Sequence, residues 1–295
     1  MELNIDALTK TYPNGVQALK GITLHIKPGM FGLLGPNGAG KSSLMRTIAT
    51  LQEADSGNIL LDNVDVLKDK TAVRQWLGYL PQDFGVYPKV SAEQLLDHIA
   101  QLKGIHNKAE RKALLAAIFE KVNLTKHCKK NLGTYSGGMK QRFGIAQALI
   151  GQPRLVIVDE PTAGLDPAER NRFYNLLSQI GQETIVILST HIVEDVKTLC
   201  ADFAIICDGE VLFHGQPDEA VKLVEGQVFT KVIEQEEIDT YKDNYKVIST
   251  QIKGGKLAIR IISELHPDNG FVSVPAGLED VYFNTISERT EVITL

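Results

Sequence analysis

The residues with the most specific chemistry lie at positions 35–42, where the sequence reads Gly-Pro-Asn-Gly-Ala-Gly-Lys-Ser. This segment matches G-x-x-x-x-G-K-[ST], a loop whose backbone N–H groups and lysine wrap the phosphates of a nucleotide. The glycines matter because the loop needs backbone angles that side chains disfavour. We expect Lys41 to pair with the β- and γ-phosphates and the Ser42 hydroxyl to coordinate Mg²⁺.

The flanking residues predict the elements that position this loop. Residues 30–34 are a short apolar run typical of a buried strand, and residues 43–48 favour a helix whose N-terminus faces the phosphates. The alternative is a glycine-rich turn that contains Lys-Ser by chance. The strand before the loop and the helix after it favour nucleotide binding instead.

Two carboxylates form a second candidate site, because Asp159 and Glu160 directly follow the apolar run of residues 155–158. Such runs are typical of strands buried on both faces of a parallel sheet, and ligands of α/β folds bind at the carboxyl edge of that sheet. Asp159 would help to hold Mg²⁺, and Glu160 would align or deprotonate an attacking water. The alternative is an acidic turn at a strand end, which the phosphate-binding loop makes the weaker interpretation.

A serine-glycine segment and a histidine could contact the same phosphates. Residues 136–138, Ser-Gly-Gly, precede a helix predicted over residues 139–150, so free N–H groups and the helix dipole there suit an anion. His191 follows the apolar run of residues 184–188 and can donate to a γ-phosphate while it holds the attacking water. The structural alternatives are a glycine-rich helix cap and a histidine with no chemical role.

Together these segments resemble the ATP-binding cassette (ABC) family, whose elements occur here in the family's order between residues 1 and about 215. They are the Walker A loop at residues 35–42, the Q-loop Gln82, the signature at 135–139, the Walker B Asp159 and Glu160, the D-loop at 164–166 and the switch His191. The resemblance implies an α/β fold: a P-loop NTPase (RecA-like) core with an antiparallel β subdomain and an α-helical signature subdomain.

The resemblance also implies a role for each residue. Lys41, Gln82, Glu160 and His191 would be catalytic, and Ser42, Gln82 and Asp159 would hold Mg²⁺. Tyr12 would stack on adenine, with a surface or core tyrosine as the alternative, and Gln82 is otherwise an ordinary surface glutamine. The implied ATP contacts are Tyr12, Gly35, Pro36, Asn37, Gly38, Ala39, Gly40, Lys41, Ser42 and Ser43, with Ser136, Gly137, Gly138 and Asp166 contributed across a dimer of cassettes.

The signature departs from the commonest form, Leu-Ser-Gly-Gly-Gln, at Tyr135 and Met139. Its Ser-Gly-Gly core is intact, so the departure weakens only a contact from the fifth side chain. With residues 160–167, Glu-Pro-Thr-Ala-Gly-Leu-Asp-Pro, the signature resembles cassettes that serve drug, antibiotic or polysaccharide exporters.

Length and charge limit the possible functions. The 295 residues suffice for one large domain plus an appendage, and a formal net charge of −5 gives no general attraction to nucleic acid or anionic lipid. We find no apolar stretch long enough to cross a bilayer, and we expect no signal peptide. The three cysteines have neither a paired framework nor metal-ligand spacing, which favours reduced thiols in the cytoplasm.

We predict two domains. Residues 1–218 would form the cassette, with a helical subdomain at about 83–150. A helix of this subdomain starts at a capping box, Ser91 with Gln94, and its apolar face would consist of Leu95, Leu96, Ile99 and Leu102 at helical spacing. Residues 219–295 would form a small α+β extension with a hairpin turning at Gly254-Gly255 and a terminal helix over residues 278–286. A packing role and a regulatory role for this extension both stay open.

The leading interpretation is an ATP-hydrolysing subunit that powers transport through a separate transmembrane permease, with export favoured over import. It would pair with a second cassette, taken to be another copy of the chain, and lie on the cytoplasmic face of the membrane. One alternative is a soluble ABC ATPase that acts on ribosomes or DNA, although such proteins usually carry two cassettes or a long coiled coil. Another is an ATP switch whose tail binds a regulator. The cargo is not encoded in this chain.

Overall fold

The computed structural model describes residues 1–162, 164–267 and 270–290. Its strands are β1 (Leu3–Thr11), β2 (Gln17–Ile26), β3 (Gly29–Leu34), β4 (Ser56–Leu61), β5 (Val64–Asp65), β6 (Leu77–Leu80), β7 (Leu155–Asp159), β8 (Ile185–Thr190), β9 (Asp202–Cys207), β10 (Glu210–Gly215), β11 (Val228–Ile233), β12 (Val247–Lys253), β13 (Lys256–Ile262) and β14 (Val272–Ser273). Its α-helices are α1 (Lys41–Ile48), α2 (Lys70–Trp76), α3 (Ala92–Leu102), α4 (Lys108–Lys121), α5 (Gly137–Ala148), α6 (Pro167–Ile180), α7 (Val193–Leu199), α8 (Pro217–Lys222), α9 (Ile238–Asn244) and α10 (Leu278–Thr290).

The central sheet has the order β10-β9-β3-β8-β7-β6, and all its strands are parallel except the edge strand β10. Every residue of β7 and β8 is buried, which explains their continuous apolar sequences. The predicted strands before the phosphate loop, before Asp159 and before His191 are therefore confirmed. The strand before His191, β8, ends at Thr190, two residues beyond the predicted end, so that His191 directly follows β8.

A four-stranded antiparallel sheet, in the order β2-β1-β4-β5, covers one face of the central sheet. The sequence predicts a first strand over residues 3–7 with Tyr12 in the loop after it, and the predicted end is wrong because β1 continues to Thr11. Ala7 does have a positive φ of 44°, but pairing with β2 resumes at Leu8 after a shift of register. Tyr12 still lies in the loop after the strand, as expected.

The helices between β6 and β7 form the predicted helical region. Ser91 and Gln94 make the predicted capping box at the start of α3, and Asn107 caps α4. The signature helix α5 begins at Gly137, two residues earlier than predicted, because Ser136 is its N-cap. Leu102 was predicted on the apolar face of α3 but is 74% exposed, because the packed face ends at Ala100.

The C-terminal residues form a third sheet, in the order β12-β13-β11-β14, and the predicted hairpin turns at two glycines with positive φ. Helix α10 contacts β12 on this sheet and also β9, α7 and α8. Leu278, Val281 and Tyr282 of α10 are buried in the same apolar cluster as Leu34 of β3. Residue 218, where we predicted the domain boundary, lies inside α8. None of the described helices is both long and apolar enough to span a bilayer.

A buried ion pair connects α10 to the third sheet. Asp280 is 3% exposed and accepts from Arg260 of β13, at 2.8 Å from Nε and 2.7 Å from Nη2, and from the backbone N–H of Gly277 at 2.8 Å. Removal of one partner of such a pair leaves the other charge without compensation. The pair therefore constrains where α10 lies against the sheet.

We expect Asp280→Ala to lower the free energy of unfolding by about 2 kcal/mol, because Arg260 and the Gly277 N–H lose a common acceptor. The matched control is Lys256→Ala, which breaks the exposed Lys256–Glu234 pair and is expected to cost much less, because both charges remain solvated. Urea denaturation followed by circular dichroism measures both. Equal losses in the two variants would contradict this account of α10.

Candidate active site

The phosphate-binding loop connects β3 to α1. Gly40 has a φ of 105°, and a Cβ at this position would lie 2.5 Å from the carbonyl oxygen of Ala18. A larger residue is therefore excluded both by backbone strain and by the close approach of β2. The turn between β9 and β10 also contacts the loop, because the Gly209 N–H donates to the Ala39 carbonyl at 3.0 Å.

Lys41 lies at the centre of this loop and is 5% exposed. Its Nζ donates to the carbonyl oxygens of Gly35 at 2.6 Å and Pro36 at 3.0 Å. Burial lowers the pKa of Lys41, and the nearby carboxylates of Glu160 and Asp159 oppose that effect. The ammonium is thus held beside the N-terminus of α1, the position from which it can neutralise phosphate charge.

A cleft of about 440 Å³ opens over the loop. Residues 37–43 line it together with Tyr12, Gln82 and Glu160. The Tyr12 hydroxyl lies 2.9 Å from Ser43 Oγ and donates to Gln52 Oε1 at 2.9 Å, so the tyrosine is fixed next to α1. The predicted adenine-stacking residue and residues 37–43 of the phosphate loop therefore lie around one cleft, whereas the described residues that line it do not include Gly35, Pro36, Asp159 and His191.

Glu160 contacts two of the other predicted catalytic residues, Gln82 and His191. Its Oε2 accepts from Gln82 Nε2 at 3.1 Å, and its Oε1 lies 3.2 Å from His191 Nδ1. Its backbone has a positive φ of 45°, and its N–H donates to the Ser189 carbonyl at 3.0 Å. A non-glycine residue in this conformation carries backbone strain, which is concentrated at functional sites.

Asp159, the last residue of β7, is 6% exposed. Burial raises its pKa, the neighbouring Glu160 adds to this, and Lys41 acts in the opposite direction. A carboxylate that is destabilised by burial beside a second carboxylate is relieved when a cation binds. This environment suits the metal-binding role that the sequence predicts.

The signature is placed by α5. Ser136 caps the helix, since its Oγ accepts from the Met139 N–H at 3.3 Å, and both Ser136 and Gly137 are exposed. Tyr135, the first departure from the commonest signature, is buried, and its hydroxyl donates to the His127 carbonyl at 2.9 Å. The unusual residue therefore packs the helical region, while the Ser-Gly end of α5 faces solvent.

Gly138 packs closely against α6. A Cβ on Gly138 would lie 2.4 Å from Oε2 of Glu169, which also lies 3.5 Å from Arg142 of the signature helix. The same helix α6 is capped by Asp166, whose Oδ1 accepts from the Glu169 N–H at 2.8 Å, as predicted for a helix start. The signature thus packs against the first turn of the helix that follows the D-loop, and no residue of the signature or the D-loop is among the described residues that line the cleft.

Five lining residues were missed by sequence reasoning: Val16, Gln17, Ala18, Asp208 and Gly209. Val16 is 55% exposed and lines the cleft next to Tyr12, and Asp208 lines it from the β9–β10 turn. A valine four residues after a proposed adenine-stacking tyrosine was a usable signal. For Asp208 there was none, because the turn reaches the phosphate loop only through the fold of the central sheet.

Comparison with known proteins identifies the class. Residues 19–163 match the ABC transporter family. The linearmycin resistance ATP-binding protein LnrL of Bacillus subtilis (strain 168) is 39% identical over 200 residues, which cover 67% of this chain and 64% of LnrL. The uncharacterized ABC transporter ATP-binding protein YxlF of the same bacterium is 30% identical over 297 residues, which cover 99% of this chain and 98% of YxlF. The chain belongs to the ABC transporter family, as one of its ATP-binding, ATP-hydrolysing cassettes.

Solved structures agree with this assignment. The ATP-binding cassette MJ0796, in a dimeric post-hydrolysis state bound to ADP and Pi, is 26% identical and covers 72% of this chain and 98% of its own, with a TM-score of 0.66. The structure of an ATP-binding subunit of an ABC transporter is 27% identical and covers 76% of this chain and 93% of its own, with a TM-score of 0.67. The predicted P-loop NTPase fold is confirmed.

We expect Asp159→Asn to raise the melting temperature at pH 7 in the absence of Mg²⁺ and ATP. The raised pKa means that ionisation of Asp159 costs more in the folded state than in the unfolded state. The wild type therefore loses stability as pH rises through the folded pKa, whereas asparagine does not ionise. The gain should vanish below about pH 4, where aspartate is protonated in both states. Thermal unfolding at several pH values measures it, and a gain that persists at low pH would contradict this cause.

Proposed function

We propose that this chain is the ATPase subunit of an ABC exporter and that it works as a dimer beneath a separate transmembrane permease. The proposal of a dimer rests on one observation. The cleft is lined by the predicted nucleotide-binding side chains of one chain, namely Tyr12, Lys41, Gln82 and Glu160. The exposed Ser136 and Gly137 of the same chain are not among the described residues that line it. A second chain can supply that serine-glycine end to the open side of the cleft, since its N–H groups and helix dipole suit a γ-phosphate.

The three side chains predicted to hold Mg²⁺ have suitable chemistry. The Ser42 hydroxyl, the Gln82 side-chain amide and the Asp159 carboxylate all offer oxygen, which this cation prefers. Bound Mg²⁺ would neutralise charge on the β- and γ-phosphates. Lys41 and the loop N–H groups would add to the same neutralisation.

Glu160 is proposed to orient and deprotonate the attacking water. Gln82 and His191 contact different carboxylate oxygens, so the side chain is fixed in one orientation before the water arrives. Phosphoryl transfer is catalysed mainly by positioning and charge neutralisation, which is what this arrangement supplies. His191 also retains its second ring nitrogen, Nε2, for the γ-phosphate.

The export direction and the permease rest on relatives rather than on this chain. LnrL is named for linearmycin resistance, and YbhF of Escherichia coli, 29% identical over 301 residues that cover half of YbhF, is named as a probable multidrug transporter protein. The transport pathway itself is proposed to belong to a separate permease. The cassette would then lie on the cytoplasmic face of the membrane, bound to that permease.

We expect Glu160→Gln to reduce ATP turnover about 10²- to 10⁴-fold and to leave ATP binding within about threefold of wild type, because the amide keeps the shape but cannot accept a proton. Steady-state phosphate release and equilibrium nucleotide binding measure the two effects. Turnover at the wild-type rate would remove Glu160 from the role of base.

The same variant serves as the control in a test of export. Inside-out vesicles that hold the permease and carry the cassette outside should accumulate a transported drug when ATP is added, and vesicles with Glu160→Gln should not. ATP-driven release of preloaded drug from the same vesicles would instead indicate import.

The dimer is tested by mixing two inactive variants. Lys41→Ala and Ser136→Arg each destroy both sites of a homodimer, but their heterodimer keeps one intact site. An equimolar mixture should therefore recover up to about a quarter of wild-type turnover if the sites act independently. The matched control is a mixture of Lys41→Ala with Glu160→Gln, whose heterodimer has no intact site. Failure of the first mixture to exceed the control would refute the shared site.

A further inference from the structure

A buried carboxylate lies behind the active site. Asp195, in α7, has no exposed surface. Its Oδ2 accepts from Thr162 Oγ1 at 2.7 Å and from Thr190 Oγ1 at 2.8 Å, and its Oδ1 accepts from the Tyr174 hydroxyl. Three hydroxyl donors and no cation therefore satisfy this carboxylate among the described residues.

The two threonines come from the two segments that carry the proposed catalytic residues. Thr162 lies two residues after Glu160, and Thr190 immediately precedes His191. Both threonines are 1% exposed. Asp195 thus joins the segment that follows β7 to the last residue of β8 through a single oxygen atom.

The backbone around His191 depends on the same cluster. The Thr190 hydroxyl accepts from the Ile192 N–H at 2.9 Å while it donates to Asp195. The Asp195 N–H in turn donates to the Ile192 carbonyl at 3.1 Å. The residues on both sides of His191 are therefore fixed by contacts that lead to Asp195.

The third donor comes from elsewhere. Tyr174 lies in the middle of α6, two turns from the D-loop, and it is 8% exposed. Burial and the Asp195 carboxylate both raise the pKa of Tyr174, so that its hydroxyl stays protonated and donates. Tyr174 therefore stabilises the carboxylate, but the helix to which it belongs, α6, contains none of the proposed catalytic residues.

A carboxylate in the interior is stable only when its hydrogen-bond donors are in place, and the loss of one donor costs free energy. A shift of the Glu160 segment relative to the His191 segment would separate Thr162 or Thr190 from Asp195. The buried charge therefore penalises any displacement between the two segments, and it does so without contact with nucleotide.

We infer that Asp195 is a positioning residue, which holds Glu160 and His191 at the separation that hydrolysis requires. The inference rests on the roles proposed above for those two residues. In this account the hydroxyls of Thr162 and Thr190 affect turnover because they bind Asp195, and not because they contact ATP.

The test uses Thr162→Val, which keeps the shape of the threonine and removes its hydroxyl. We expect kcat to fall about 10- to 100-fold, because a small misplacement of catalytic groups has effects of that size, and KM for ATP to change less than about twofold. Thr162→Ser, which keeps the hydroxyl, should recover kcat to within about threefold of wild type.

Tyr174→Phe is the matched control because it removes one donor from the same carboxylate outside both catalytic segments. We expect it to lower the melting temperature about as much as Thr162→Val and to keep kcat within about threefold of wild type. A role in folding alone would make the two variants equal in kcat. Thermal unfolding of every variant verifies that the compared proteins are folded at the assay temperature.

Three results would overturn the inference: wild-type kcat in Thr162→Val, an equal loss of kcat in Tyr174→Phe, or no recovery in Thr162→Ser. Glu160→Gln is assayed in parallel. If Glu160→Gln is inactive while Thr162→Val turns over normally, only the inference about Asp195 fails. If Glu160→Gln is active, the proposed role of Glu160 fails instead.

Discussion

The parallel register of β3, β8 and β7 is the constraint on which the rest of this molecule depends. Leu34 pairs with Thr190, and Ser189 pairs with Asp159, so the three strands end at one edge of the sheet. The phosphate loop, His191 and Glu160 are the first residues beyond those ends. Parallel strands that are packed on both faces leave little freedom of register, because a one-residue slip would exchange the side chains of the two packed faces. The active site is therefore positioned mainly by the apolar sequences of strands that contact no substrate.

This dependence explains what could be predicted. The apolar runs before Gly35, Asp159 and His191 are local signals, and the rule that ligands bind at the carboxyl edge of a parallel sheet converts them into a shared location. Helix starts were also predictable, since Ser91, Asn107 and Asp166 cap helices through bonds to residues two or three positions away. Chemistry that is encoded within a few residues was accessible from the sequence.

Contacts between distant segments were not accessible in this way. Nothing near Asp195 in the sequence indicates that hydroxyls at positions 162, 174 and 190 converge on it, and Arg260 gives no sign of its pairing with Asp280. Tyr135 could be read only as a departure from a signature, because its packing under α5 depends on the whole helical region. The prediction that Leu102 packs against the core was wrong for a related reason. Helical spacing identifies an apolar face, but tertiary packing decides how far along the helix that face is covered.

The packing of Gly138 on Glu169 has a consequence for the proposed dimer. Signature helix and D-loop helix touch where a side chain would not fit, so α5 and α6 cannot slide past each other without a clash or a rearrangement of Glu169. The two segments that one chain would offer to its partner therefore move together.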